Sequence, residues 1–269
     1  MATTSETSQR RLPAGRKADL AAYVAEVGEV TVVELASHFE VSTDTIRRDL
    51  DQLDAEGVLV RTHGGAISAA ASARPDTVLD VRLKFRTQVK EQIGVLAAGL
   101  VRDNTSLMIN GGTTTLALAR ALGAKRDLTI ATNNLRLPQE IAPEAVRDLY
   151  VFGGMVRLSA QTTIGPVKFA LNERRSELDV RVDMAIVGVG AVSAEGGFTT
   201  SHLAEGGMMA EMIERADTVV VLADATKFER RLFAQVARLE AVDYLVTDET
   251  PPPALAAALA AAEVQVITP

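Results

Sequence analysis

The chain has no cysteine in its 269 residues. That removes any disulfide framework and any thiolate metal site, and it suits a reducing compartment. Histidine is nearly as scarce: His38, His63 and His202 stand far apart, without metal-ligand spacing. No Gly-x-Ser-x-Gly elbow and no Walker A pattern occur, and Gly188-Val189-Gly190 lacks the third glycine of a dinucleotide fingerprint. No apolar run approaches the ~20 residues that span a bilayer. Residues 1–14, rich in Thr, Ser and Arg, hold no apolar core of a signal peptide and read as a disordered tail. These absences lead us to expect a soluble cytoplasmic protein with no membrane segment, no metal, no cofactor and no catalytic residue set.

Positive charge is also short. The net charge is −7, and residues 1–75 carry 8 Lys+Arg against 11 Asp+Glu, a net of −3. Affinity for any nucleic acid irrespective of sequence depends on neutralising phosphates, so avid non-specific binding is not expected.

What is present begins with Val41-Ser42-Thr43-Asp44-Thr45-Ile46-Arg47-Arg48-Asp49-Leu50. Ser42 is placed to cap a helix in which Ile46, Leu50 and Leu53 form one apolar stripe, with Gly57 to end it. Thr43, Thr45, Arg47 and Arg48 fall off the stripe, where a DNA-reading helix meets bases and phosphates. A helix of this kind is common, so its neighbours decide. Thr31 to Glu34 has capping-box spacing for a short helix ending near Phe39, and Glu40-Val41 leaves a tight turn before Ser42. An earlier helix spans about Arg16–Val27, closed by Gly28. Val58 to Arg61 and Ala66-Ile67 flank Thr62-His63-Gly64-Gly65 as a hairpin. The pattern predicts a winged helix-turn-helix over residues 15–67. Arg10, Arg11, Arg16, Lys17, Arg47, Arg48 and Arg61 could share one face, with the acids on the far side.

Residues from about Arg16 to Ile67 resemble the N-terminal domain of DeoR-type bacterial transcriptional repressors. The resemblance rests on Glu34-Leu35-Ala36, Val41-Ser42, Thr45 to Leu50, Leu53, Gly57 and Arg61-Thr62-His63-Gly64-Gly65-Ala66. Within that reading Ser42, Thr43, Thr45, Arg47, Arg48, Arg61 and His63 are the candidate DNA-binding residues, and double-stranded operator DNA is the expected partner.

Residues 68–79 are small and polar with one proline and read as a linker. From residue 80 the pattern changes. Apolar runs of strand length alternate with amphipathic stretches, the sign of a parallel α/β sheet. The strand candidates are Ser106–Ile109, Leu128–Ala131, Leu149–Phe152, Met184–Val187, Thr218–Ala223, Tyr244–Val246 and Val264–Ile267. Helices are expected around Val89 to Leu100, over Thr113–Leu122, Val167–Leu178 and Leu203–Arg215, and over Ala254–Ala262. Five strands run into polar turns: Asn110-Gly111-Gly112-Thr113-Thr114, Thr132-Asn133-Asn134, Gly153-Gly154, Gly188-Val189-Gly190 and Asp224-Ala225-Thr226-Lys227. Any one of these reads equally well as an ordinary turn. All five together favour a ligand crevice at the carboxyl ends of the strands. Gly112 with Thr113 to Thr115 would open a helix whose free N–H groups suit a phosphate.

This half resembles the DeoR C-terminal sensor domain, related in fold to ribose-5-phosphate isomerases. The residues carrying the likeness are Gly112-Thr113-Thr114, Thr132-Asn133, Gly153-Gly154, Gly165, Gly188-Val189-Gly190, Gly197-Phe198-Thr199, Met212-Ile213 and Asp224 to Phe228. Two positions depart from the family pattern: Asn110 stands where an acid is usual, and Gly206 to Met209 lack a usual basic residue. The resemblance implies a phosphorylated sugar or related metabolite as effector. Its candidate contacts are Asn110, Gly112, Thr113, Thr114, Thr132, Asn133, Gly153, Gly154, Gly188, Gly190, Asp224 and Lys227. The expected whole is a homodimeric or homotetrameric regulator of carbohydrate genes, most simply a repressor. The rival is a sugar-phosphate isomerase with an appended DNA-binding domain, for which Asp224 would have to serve as base.

Overall fold

A computed structural model describes residues 13–55, 58–62, 64–68, 79–169 and 180–269. Residues 1–12 of the expected tail, Gly57, His63, nearly all of the expected linker and the greater part of the helix expected over Val167–Leu178 lie outside the described residues, whereas the tail's last two residues, Pro13 and Ala14, are helical. The chain divides into two compact units, Met1–Phe85 and Arg86–Pro269.

The first unit is built from α1 (Pro13–Val27), β1 (Glu29–Thr31), α2 (Val32–His38), α3 (Thr43–Ala55), β2 (Leu59–Arg61), β3 (Gly65–Ser68) and α4 (Leu79–Lys84). α1 starts three residues ahead of the expected Arg16, because proline is well tolerated in a first turn. It ends as the sequence suggests. Gly28 takes φ +89°, and its N–H donates to the Val24 carbonyl at 2.9 Å. Thr31 and Glu34 form both halves of a capping box. The Thr31 backbone N–H and then its hydroxyl hold the Glu34 carboxyl below its usual pKa. The Val41 N–H reaches back to Ala36 O at 3.1 Å, and Glu40 turns the chain at φ +52°. α3 then starts on Ser42, whose Oγ accepts the Thr45 N–H at 3.2 Å.

The stripe Ile46, Leu50 and Leu53 is buried against Leu20, Val24, Leu35 and Leu59. Each such side chain contributes roughly 1.5–3 kcal/mol by leaving water. The wing holds three strands, in order β1-β3-β2 and antiparallel, where two were expected. β1 is three residues long, too short for alternation to show in the sequence, and it exists because β3 pairs with it.

The second unit is organised on a seven-stranded parallel sheet. Its strands are β4 (Ser106–Ile109), β5 (Leu128–Thr132), β6 (Val146–Val151), β9 (Val182–Gly188), β12 (Ala216–Leu222), β14 (Tyr244–Val246) and β15 (Gln265–Ile267), in the order β15-β14-β12-β9-β4-β5-β6. Every strand read from the sequence is in it. β6 begins three residues before the expected Leu149, since Arg147 and Asp148 interrupt the apolar run on an edge strand whose polar side chains face solvent. Between the strands lie α5 (Thr87–Leu100), α6 (Thr113–Ala121), α7 (Leu137–Glu140), α8 (Leu203–Glu214) and α9 (Pro253–Ala261).

Five short strands were not foreseen. β7 (Met155–Arg157) and β8 (Thr162–Ile164) form a hairpin; β10 (Ala191–Ser193), β11 (Gly197–Thr200) and β13 (Ala234–Ala237) form an antiparallel sheet. The helix expected from Val167 does not start there. Val167 to Phe169 are not helical: the Val167 N–H donates to the Glu211 carboxylate at 3.0 Å, and Phe169 packs edge-on against Tyr150 and Phe152.

Candidate functional site

The sheet order places the chain's change of direction between β4 and β9. From β4 the strands run outward through β5 to β6; from β9 they run the other way through β12 and β14 to β15. Loops leaving such a pair diverge to opposite faces and open a crevice at the strands' carboxyl ends. Asn110 follows β4 and Gly188 ends β9. The Asn110 Nδ2 donates to Gly188 O at 2.9 Å and its Oδ1 accepts the Gly188 N–H at 2.8 Å, so one side chain continues the ladder across the seam. Asn110 is 1% exposed.

The neighbouring loops are held in the same way. Thr132 donates to Ile109 O at 2.6 Å, and Thr115 donates to Asn110 O at 2.8 Å. The Asn133 Oδ1 accepts the Gly111 N–H and its Nδ2 donates to Thr163 O, both at 2.7 Å. Asn133 thereby ties the first glycine loop to the β7–β8 hairpin. Gly111 must be glycine, because a Cβ there would lie 2.0 Å from the Thr162 methyl. Gly153 and Gly154 are crowded by the same hairpin: Gly153 takes φ +101° beside Thr163, and the Gly154 N–H donates to Ile164 O at 3.2 Å. Gly190 belongs to the small sheet, donating to Thr199 O at 2.9 Å.

Within this frame the opening of α6 stands out. Its N-cap, Gly112, supplies no side-chain cap, and no acid lies in its first turn. Thr113 is buried and Thr114 half-buried. On the far side of the seam, Asp224 caps the turn Ala225–Lys227 through the Thr226 N–H at 3.1 Å, and Lys227 is half-buried. Arg86 approaches Asp224 at 3.6 Å and pairs with Asp248 at 2.6 Å. Asp248 also accepts the Ala225 N–H at 2.7 Å. The carboxylate that an isomerase would need as a free base is thus engaged by a cation and by its own turn. Arg86, Asp248 and Thr163 were not singled out from the sequence; partners as far apart as Arg86 and Asp248 leave no spacing signal. His202, unassigned by sequence, caps α8 by accepting the Glu205 N–H at 3.4 Å. Among the described residues no group of three His, Asp or Glu side chains is disposed to hold a metal, and no helix is long and apolar enough to cross a membrane.

In the first unit Ser42, Thr43 and Thr45 are at the start of α3, and Thr45 Oγ1 lies 2.9 Å from Ser42 Oγ. Arg47 and Arg48 are exposed on the face opposite the buried stripe. Among the described residues the expected separation of cations from acids is not found; Arg10 and Arg11 lie outside them. Arg16 forms a two-bond pair with the buried Asp49, whose carboxylate raises the guanidinium pKa by accepting its hydrogen bonds. Arg47 pairs with Asp44 and Arg61 with Asp51. Helical spacing explains the first of these two, since an acid three residues from an arginine on one helix reaches it; Arg16 and Arg61 reach α3 from α1 and β2, which pack against it. Arg48 has no acidic partner among the described residues. His63 lies outside them.

Residues 16–71 match the DeoR-like helix-turn-helix domain, and residues 86–249 match the DeoR C terminal sensor domain. The chain belongs to the DeoR family. As a member it is a DNA-binding transcriptional regulator with a sensor domain, and the fold expected from sequence is the fold observed. It is 31% identical over 246 residues to the HTH-type transcriptional repressor CsqR of Escherichia coli K12, covering 91% of this chain and 92% of that one. It is 31% identical to the repressor GlcR of Bacillus subtilis 168 over 85% of this chain and 86% of that one. The glycerol-3-phosphate regulon repressor of Escherichia coli K12 is 30% identical, over 85% and 88% respectively. Ribose 5-phosphate isomerase A from Methanocaldococcus jannaschii aligns with a TM-score of 0.35 at 18% identity, over 53% of this chain and 54% of that one.

Proposed function

We propose that the sensor crevice receives a phosphorylated sugar or a related metabolite and that its occupancy sets operator affinity. The reading is carried by the opening of α6: uncapped N–H groups and a helix dipole at the seam where the sheet changes direction. The phosphate sits on the N–H groups of Gly112, Thr113 and Thr114. Asn110, Thr132, Asn133 and Gly188 shape the floor, and Lys227 with Asp224 meets the ligand's other polar end. Gly153, Gly154 and Gly190 serve by letting the added hairpin and small sheet close over the strand ends. The protein acts in the cytoplasm as a repressor of carbohydrate genes, a homodimer or homotetramer whose paired helices meet paired half-sites in double-stranded DNA. A relative named for a glycerol-3-phosphate regulon supports a small phosphate ester as the ligand class.

The test is a thermal-shift panel of glycerol and sugar phosphates beside their unphosphorylated forms. A ligand bound only by the native state raises Tm, by about 2.7 kcal/mol of stabilisation at a hundredfold excess over Kd. The expected result is a shift with a phosphorylated compound alone, lost in Gly112→Ala, where an added methyl would stand 3.2 Å from Thr115 Oγ1 and over the phosphate position. A shift equal for both forms of one compound would remove the phosphate from the proposal.

A further inference from the structure

α3 carries its own acids on the face it offers to DNA. Asp44, Arg47, Arg48 and Asp51 fall on one side of the helix, since positions three, four and seven apart are stacked. Ile46, Leu50 and Leu53 occupy the opposite side and are buried. Arg47 Nη1 is 2.9 Å from Asp44 Oδ1, with the two side chains 53% and 73% exposed. Arg61, at the end of β2, pairs with Asp51, and its backbone N–H donates to Asp54 at 3.0 Å. Two of the cations offered to DNA are therefore already matched by carboxylates that remain beside them in the interface.

We propose that Asp44 and Asp51 are specificity-determining residues: they suppress binding to the phosphate backbone and leave base reading as the favoured use of Arg47 and Arg61. A phosphate contact must draw the guanidinium away from its carboxylate and then set that carboxylate against another anion. A guanine edge is uncharged and offers two acceptors, O6 and N7. The guanidinium has five N–H donors in a planar fork, enough to hold the aspartate with one edge and the base with another. The acid is lost to one use and kept in the other. Exposed ion pairs are weak, so the pairs do not lock the arginines; the discrimination comes from the anion that stays behind. Asp44 and Asp51 are two of the 11 acids that stand against 8 bases over residues 1–75.

The experiment uses the full-length protein and a duplex of random sequence, so no operator needs to be known. Asp44→Asn and Asp51→Asn are compared with the parent and with Glu26→Gln, which adds the same charge at an exposed α1 position outside these pairs. Affinity is read by fluorescence anisotropy across a salt series. Each aspartate variant is expected to bind about tenfold tighter at low salt, with a log–log salt slope steeper by about 0.9 for each arginine released to phosphate. Glu26→Gln should leave the slope unchanged. Selection from a random library should return a more diverse bound pool, with weaker enrichment of any one sequence, from either aspartate variant than from the parent. Equal gains from all three variants would make the effect one of net charge and overturn the proposal. A fall in affinity would overturn it as well, by making the aspartates direct contacts. Because both side chains are more than half exposed, at 73% and 54%, unaltered Tm is expected and separates either result from unfolding.

Discussion

Asn110 shows what a single side chain must supply at a seam. Gly188 presents both a donor and an acceptor, and a carboxamide answers both at 2.8 and 2.9 Å. A charged carboxylate could accept but not donate, and it would face the Gly188 carbonyl in a site only 1% exposed. Asn110→Asp should therefore cost about 2 kcal/mol at pH 7, the order of a lost buried hydrogen bond and an unpaired acceptor. Burial also favours the neutral acid, raising its pKa, and the neutral acid can donate to Gly188. The deficit against the parent should shrink as pH falls from 7 towards 5. Urea midpoints at the two pH values decide the matter; a deficit independent of pH would mean that the amide's shape, not its proton, is what the seam uses.

At the level of elements, β4 and β9 are fastened at both ends. Opposite the crevice, Asp183 accepts from the Ser106 hydroxyl at 2.6 Å and from its N–H at 2.7 Å, while its own N–H donates back to Ser106 Oγ at 2.9 Å. The Ser106 hydroxyl first, and then its N–H, holds the Asp183 carboxyl below the usual range. A depressed folded pKa gives stability that is complete above the unfolded value, about 3.9, and is lost as pH falls through the folded value. Asp183→Asn should flatten the acid limb of the stability–pH curve below about pH 4 while leaving the curve near pH 7 similar in shape. Acid denaturation of parent and variant followed by circular dichroism checks this.

The strands of this seam were legible because each is a run of apolar residues buried on both faces, with polar turns at its ends. The helices of the first unit were legible for a different reason: Ser42, Thr31 and Gly28 write their own boundaries. The short strands of the hairpin and the small sheet were not legible. They are three or four residues long, hold no alternation of their own, and exist through partners such as Asn133 and Phe228 elsewhere in the chain. The candidate crevice was readable as a set of strand ends. That Asn110 and Asn133 spend their amides on neighbouring loops required knowing which loops are neighbours.

Across the whole molecule, the two units differ in how far apart in the chain their partners lie. In the first, Arg16 reaches Asp49 across 33 positions. In the second, Ser106 and Asp183 are 77 positions apart, and Asn110 and Gly188 are 78. Contacts between distant positions close slowly because the loop must be ordered before the contact forms. On refolding from urea, amides of α1 to α3 should gain protection before those of β4 and β9 in pulsed hydrogen exchange. Simultaneous protection would show that the units fold as one.

The place of the seam has a consequence for the making of the protein. Translation runs from the N-terminus, and domains generally fold in that order. The helix-turn-helix and its wing are complete by Ser68, whereas β4 stays without its central neighbour until Gly188 has been added. Reading and listening thus have different birth times. A nascent chain interrupted between those two residues carries a complete helix-turn-helix and a sensor sheet still lacking its central seam.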